Sequence, residues 1–410
     1  MKNNRIIIDK AEVDGNTIRY KVCETGSLHL LQKDNVDLFV SFRGSDGIDW
    51  RLNQVPQSIL LVSISLYLLP LTWFYNIELV IPEMDKELYD RLPSIYSAYS
   101  KIYGPFDKRW GGTVSINKVA DNIIEGNPRY DKIVFFSGGV DACHAGINNS
   151  GEKTLLVSVP DIEWQAKNDG LLRDEKFSLI KSFSEIIHCD WLVVSNNFNV
   201  ALHNLPLIQS HLSSQLKLNS LAFQYDGFRG IRYIPNMCCC APVVYNFGVH
   251  KMVIGSSFEQ LEDKMNINYD GTNPELSDSI GFANAIFTEH DGSTTRRSEK
   301  VRNIIEWCNN HCVKTKLWVC FDDNSIQCGR CNKCVRTQLN ILCTGENPKD
   351  WGFDNFSEKE FTKFVKSYHY VEVNPCWLWD IIDTIDRNRH YPYCNDLLHW
   401  LKKKIGRAHV

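Results

Sequence analysis

The chain has 410 residues, 43% of them hydrophobic and 23% charged, enough to bury one large core or two smaller ones and unlike a disordered chain. Its 15 cysteines are diluted through a long chain that opens on Met1-Lys2-Asn3-Asn4-Arg5 with no signal-peptide pattern, so a short disulfide scaffold is excluded and reduced thiols in the cytoplasm are expected. A net charge of −4 and a pI near 6.3 exclude an extended nucleic-acid-binding face, which needs clustered excess Lys and Arg, and leave room for a local basic site.

Arg5-Ile6-Ile7-Ile8-Asp9, Thr17-Ile18-Arg19-Tyr20-Lys21-Val22 and Asp37-Leu38-Phe39-Val40-Ser41-Phe42 read as short strands, so residues 1–125 are expected to form an N-terminal α+β region. From Leu52 to Ile77 no residue is charged, and the run from Ile59 to Leu69 is strongly apolar. Length alone would allow a membrane span. Pro70, Asn76 and Glu78 interrupt the run, however, and Ile77-Glu78-Leu79-Val80-Ile81 alternates as a half-buried strand does. The expectation is a buried core helix ending before Pro70, then a strand or two, with no membrane partner. Gly104-Pro105, Gly111-Gly112 and Gly126-Asn127-Pro128 punctuate the end of this region.

Over residues 126–315 strands alternate with helical segments, which predicts an α/β fold with a doubly wound parallel sheet. Candidate strands start at Lys132, Thr154, Trp191 and Met252 and end at Phe136, Val159, Ser195 and Gly255, with Leu317 to Cys320 a further candidate. The first of these empties into Ser137-Gly138-Gly139-Val140-Asp141. Two glycines allow backbone conformations in which successive N–H groups converge on a phosphate at the start of the next helix. Ser137 adds a hydroxyl donor, and Asp141 a magnesium-binding or orienting carboxylate. Ligands of such sheets sit beyond the carboxyl ends of the strands, which places Ser137, Ser158 and Gly255-Ser256-Ser257 around one crevice. The last group reads equally as a polar helix cap. Cys143, in the first helical turn, and Cys238-Cys239-Cys240 are candidates for sulfur chemistry if exposed and for core packing if buried.

Farther on, Arg296, Arg297 and Lys300 form a basic group that suits phosphate or a substrate acid, or else an ordinary charged helix start. Cys320 followed by Cys328-Gly329-Arg330-Cys331-Asn332-Lys333-Cys334 has the spacing of a closed zinc tetrahedron, residues 316–345, with a redox dithiol as the competing reading. Residues 346–410 carry Phe361, Phe364, Tyr368, Trp377, Trp379, Ile381, Ile382 and Ile385 at helix-like steps, a helical tail with a core-facing stripe. Lys402-Lys403-Lys404 reads as a solvated helix end.

Ser137-Gly138-Gly139-Val140-Asp141 resembles the SGGxDS loop of the PP-loop ATP pyrophosphatases. Together with Asp291-Gly292-Ser293, the Arg296–Lys300 segment and the Cys320…Cys334 knuckle, it resembles the 7-cyano-7-deazaguanine synthases, the QueC family, over residues 130–345. The added N-terminal region is more similar to the divergent QueC-like proteins of anti-phage defence operons. The resemblance implies a PP-loop fold with ATP, Mg2+ and Zn2+. ATP would be bound by Ser137, Gly138, Gly139, Val140, Asp141, Ser158, Gly255 and Ser256, with Asp141, Arg296, Arg297 and Lys300 in catalysis. It implies adenylation of a deazaguanine-type carboxylate and transfer to an amine, with a protein of a defence operon as acceptor or partner. Other readings are the queuosine-pathway synthase using ammonia, a tRNA thiolase and a non-catalytic nucleotide-binding subunit. Ala142 departs from the motif, where the family has a second hydroxyl.

Overall fold

The computed structural model describes residues 4–31, 35–103, 111–124, 127–160, 174–204, 207–208, 210, 230–256, 273–320, 327–367, 380 and 383–384. The chain opens on four strands, β1 (Arg5–Ile8), β2 (Glu12–Asp14), β3 (Thr17–Thr25) and β4 (Asn35–Gly44). Along β3 the buried residues Ile18, Tyr20 and Val22 alternate with exposed ones, the period of a half-buried strand. Helix α1 (Val62–Tyr75) follows and corrects the expected stop before Pro70, because it runs through that proline. Every residue from Val62 to Phe74 is buried, so packing on all sides outweighs the loss of one backbone hydrogen bond, about 3 kcal/mol in a solvated helix. Asn76, in the left-handed conformation at φ 50°, ends it. No helix among the described residues is long and apolar enough to cross a membrane.

The next elements are β5 (Glu78–Ile81), β6 (Met84–Asp85), helix α2 (Lys86–Tyr103), β7 (Thr113–Ile116) and β8 (Val119–Ala120). Then come β9 (Lys132–Phe135), α3 (Val140–Asn148), β10 (Thr154–Ser158), α4 (Asp174–Ile186), β11 (Asp190–Asn196) and β12 (Lys251–Gly255). The described chain closes with β13 (Gly281–Phe282), β14 (Ala285–Asp291), α5 (Arg297–Asn310), α6 (Asn332–Cys343) and α7 (Glu358–Ser367).

Twelve of the fourteen strands build a mixed sheet in the order β13-β14-β12-β9-β10-β11-β4-β3-β1-β5-β7, with β2 on β3, and β6 pairs with β8 in a separate two-stranded sheet. Strands β14, β12, β9, β10 and β11 are parallel, as the alternation of strand and helix predicts. The antiparallel pair β11–β4 joins them to the N-terminal strands, so the sheet runs across residue 125 without a break. One core cluster accordingly holds Ile6, Val40 and Leu79 together with Ile133, Leu155 and Met252. After β9 the chain adds β10 and β11 on one side and returns to lay β12 on the other, making a topological switch point between β9 and β12.

The expected strand at Leu317–Cys320 does not join the sheet. Its N–H groups go elsewhere, Leu317 to Trp351 O at 3.1 Å and Trp318 to Gly138 O at 2.6 Å, which lays it beside the glycine loop. In the tail, Glu358–Ser367 is helical and Phe361 is buried. Tyr368, Trp377, Trp379, Ile381, Ile382, Ile385 and Lys402–Lys404 lie outside the described residues, as do Gly104-Pro105, Gly126 and Ser257, and the side chain of Phe364 is also outside them.

Candidate phosphate loop and four-cysteine site

Strand β9 delivers Ser137 and Gly138 to the carboxyl edge of the sheet, beside the switch point. Gly138 takes φ 81°, and a Cβ there would lie 2.4 Å from Leu179 Cδ2, so the position requires glycine. Gly139 is extended and caps α3, with its N–H 3.4 Å from Ser137 Oγ. On the far side of the switch point Gly255 ends β12 so close to α3 that a Cβ would lie 2.4 Å from Asp141 O and 2.9 Å from Ala142 N. Ala142 is buried in the apolar cluster beneath the loop, a setting in which a hydroxyl would need its own partner.

Asp141, Arg297 and Lys300, far apart in sequence, meet here. Asp141 Oδ2 accepts from Arg297 Nη1 at 2.6 Å, and Oδ1 from Lys300 Nζ at 3.0 Å. Lys300 is 1% exposed and also donates to the carbonyl of Ser256. Burial by itself would raise the Asp141 pKa, but the charges of Lys300 and Arg297, with Arg336 beyond, outweigh it and hold the carboxyl well below its usual range. Both carboxylate oxygens are thus engaged by cations. Asp141 anchors Lys300 and Arg297 in this arrangement and offers magnesium no unengaged oxygen.

Arg296 points away, to Asp383 Oδ2 at 2.6 Å, while Asp380 accepts from the Ser298 hydroxyl at 2.6 Å and the Ser298 N–H at 3.2 Å. Two carboxylates of the tail therefore cover the start of α5. Ser256 is buried with its N–H on Asp291 O at 2.9 Å, and Ser158 is buried at the end of β10. Gly255 and Ser256 serve the fold as the close approach of β12 to α3 and the seat of Lys300.

Several polar residues at the site escape a sequence reading. His144 Nδ1 lies 3.0 Å from Asp291 Oδ1, whose carboxylate also accepts from the exposed Asn148 at 3.0 Å and from Asn149 at 3.1 Å, a partly buried network beside Lys300. Burial would raise the Asp291 pKa, but the hydrogen bonds and charge of His144 and the two amides lower it. Lys176 Nζ donates to Ser137 O at 3.2 Å and lies 4.5 Å from the centroid of the Trp318 ring. Desolvation pulls this ammonium down to about 7. Asp291 stands in a segment with a readable motif, but its partners follow only from the fold, and Lys176 has the look of an ordinary solvent-facing helix charge.

Cys320, Cys328, Cys331 and Cys334 bring their sulfurs within 4.8 Å of one another. A zinc tetrahedron with Zn–S bonds of about 2.3 Å needs sulfurs about 3.8 Å apart, and Cys328–Cys334 and Cys331–Cys320 stand at 3.9 and 4.0 Å. Backbone N–H groups point at sulfur, from Cys328 to Cys320 Sγ at 3.3 Å and from Cys331 to Cys328 Sγ at 3.2 Å, as suits thiolates. Hydrogen bonding to Cys320 and Cys331, then burial, push the Cys334 thiol far up, a shift that a divalent cation held among the sulfurs would oppose. The donor set fits zinc and leaves no open position. By contrast Cys143 and Cys238–Cys240 are buried, and burial raises their thiols, the opposite of what sulfur transfer requires.

No protein-family model, curated protein or solved structure matches the chain.

Proposed function

We propose that the chain is a PP-loop ATP-dependent carbon–nitrogen ligase that adenylates a carboxylate and transfers it to an amine. The observation that carries this is the Ser137–Gly139 loop at a switch point, opening onto a helix start with Lys300 and Arg297 pre-positioned on Asp141. A carboxylate oxygen attacks the α phosphorus of ATP, the bond from that phosphorus to the α–β bridging oxygen breaks, and pyrophosphate leaves with the electron pair. The amine nitrogen then attacks the acyl carbon, AMP departs, and the amine loses its proton to solvent. The loop N–H groups and the Ser137 hydroxyl receive the β and γ phosphates, and the paired cations stabilise charge that moves onto the leaving group. Zinc, held by the four cysteines, supplies structure, since a closed thiolate set has no place for substrate.

The substrate class, a 7-deazaguanine-type acid, and the acceptor, a protein amine of a defence system, are supported by the motif resemblance. Incubation with ATP, the acid and co-expressed partner proteins should give AMP, pyrophosphate and an acid-sized mass addition on a partner in equal amounts. Pyrophosphate without any amide, nitrile or adduct would remove the substrate assignment and leave adenylation standing. An ammonia-dependent nitrile would assign the chain to nucleoside synthesis.

A further inference from the structure

The phosphate loop and the cysteine cluster meet in space through two side contacts that neither function by itself requires. In a trans peptide the C=O and N–H point in opposite directions. The Ser137 carbonyl is turned toward Lys176 Nζ at 3.2 Å, and the Gly138 carbonyl toward the Trp318 N–H at 2.6 Å. The N–H groups of Gly138 and Gly139 consequently face the other way, with Ser137 Oγ on their side at 3.4 Å from the Gly139 nitrogen. Pinning two carbonyls presents the donors that would cradle an anion.

Both pins lead to the cysteines. Trp318 stands two residues before Cys320, in an extended segment stapled by Gln327. The Gln327 Oε1 accepts from Val319 N at 2.9 Å, and its Nε2 donates to Leu317 O and Gly352 O, each at 2.8 Å. The next residue, Cys328, donates its N–H to Cys320 Sγ at 3.3 Å. Lys176 lies over the Trp318 ring and is 8% exposed, so it holds its place only while the tryptophan holds its own. The same cluster reaches the loop from a second side, since Arg336, two residues after Cys334, helps to depress the Asp141 pKa.

We propose that Lys176 and Trp318 are positioning residues that transmit the state of the four-cysteine site to the phosphate loop, keeping its N–H groups presented only while the cluster holds its metal. The ligand of the loop rests on the ATP reading above; the coupling rests on the contacts. Linkage makes the effect reciprocal, because an anion that favours the ordered loop must favour retention of the metal by the same factor.

Amide hydrogen exchange of the segment 137–143 tests the coupling directly, on the native zinc-loaded protein, on protein stripped by a chelator, and on Lys176→Met and Lys176→Arg. Metal removal and Lys176→Met should each raise exchange at Cys143, whose N–H is bonded to the Gly139 carbonyl at 2.9 Å, by about tenfold, while Lys176→Arg, which keeps a donor, stays close to the native rate. Inorganic pyrophosphate should slow zinc loss from the native protein by about fivefold or more and should lose that effect in Lys176→Met. Unchanged loop exchange after metal removal overturns the proposal, whether or not the methionine variant folds. If exchange responds as predicted but neither pyrophosphate nor ATP binds the native protein, the coupling stands and the nucleotide reading falls.

Discussion

At Gly138 and Gly139 the chemistry of the loop reduces to two backbone conformations with different demands. Gly138 needs φ 81° and has no room for a methyl group, whereas a Cβ on Gly139 would meet Ser137 Oγ at an ordinary 3.5 Å. Gly138→Ala should therefore cost about 1–3 kcal/mol and Gly139→Ala less than about 1 kcal/mol, a contrast that urea unfolding of the two variants will measure. Asp141→Asn strands Lys300 without a counter-charge inside the protein, and the expected loss is about 3 kcal/mol or more. The sign of its pH dependence follows from the direction of the shift. The depressed carboxyl contributes its stability above the ordinary aspartate pKa, about 4, and loses it as pH falls below that value toward the folded pKa. The acid limb of a melting-temperature profile should be less steep in Asp141→Asn than in the native protein. A glycine loop and a basic cluster stand out in a sequence and single out Asp141, Arg297 and Lys300, but not their pairing with one another. Lys176 does not stand out, because only the burial supplied by Trp318 distinguishes it from a solvated lysine.

Among the elements, the parallel strands were readable from short apolar runs followed by turn residues, and β9, β10, β11 and β12 lie within one or two residues of where the sequence places them. Helix α1 runs past the stop expected at Pro70 because a local rule about proline gives way to tertiary packing on every face. The segment at Leu317–Cys320 is apolar enough for a strand, yet its hydrogen bonds go to the glycine loop and to Trp351, partners that periodicity cannot name. Helix α6 starts within the cysteine cluster, since Cys331 is its N-cap and Cys334 lies in its first turn. The purified, reduced protein should contain about one zinc per chain, and Cys331→Ser should lower both metal content and melting temperature. Because the sulfurs must be deprotonated to bind metal, and Cys334 resists deprotonation, zinc retention should fall as pH is lowered. Elemental analysis across pH checks this, and a pH-independent zinc content would contradict it.

For the molecule as a whole, the feature hidden from the sequence is the joint between its halves. Residues 40–44 of β4 pair antiparallel with residues 192–196 of β11, a contact between segments too distant for any local pattern to predict. At this joint Gly44 has no space for a side chain, since a Cβ would lie 2.4 Å from both Trp191 O and the Trp50 ring. With one sheet and a core cluster shared across it, calorimetry should record one main unfolding transition, and Gly44→Val should lower it as a unit. Two separable transitions would mean that the N-terminal strands fold independently. Such a sheet places the glycine loop, the cation pair on Asp141 and the four-cysteine cluster at one edge, and the ligase reading depends on what that edge does to ATP. Product analysis with ATP labelled at the α and γ phosphates, in the presence of a 7-deazaguanine-type acid, tests this most directly. The expected products are AMP and intact pyrophosphate, formed only when the acid is present and abolished by Gly138→Val; ADP and orthophosphate, or no cleavage under any condition, would contradict it.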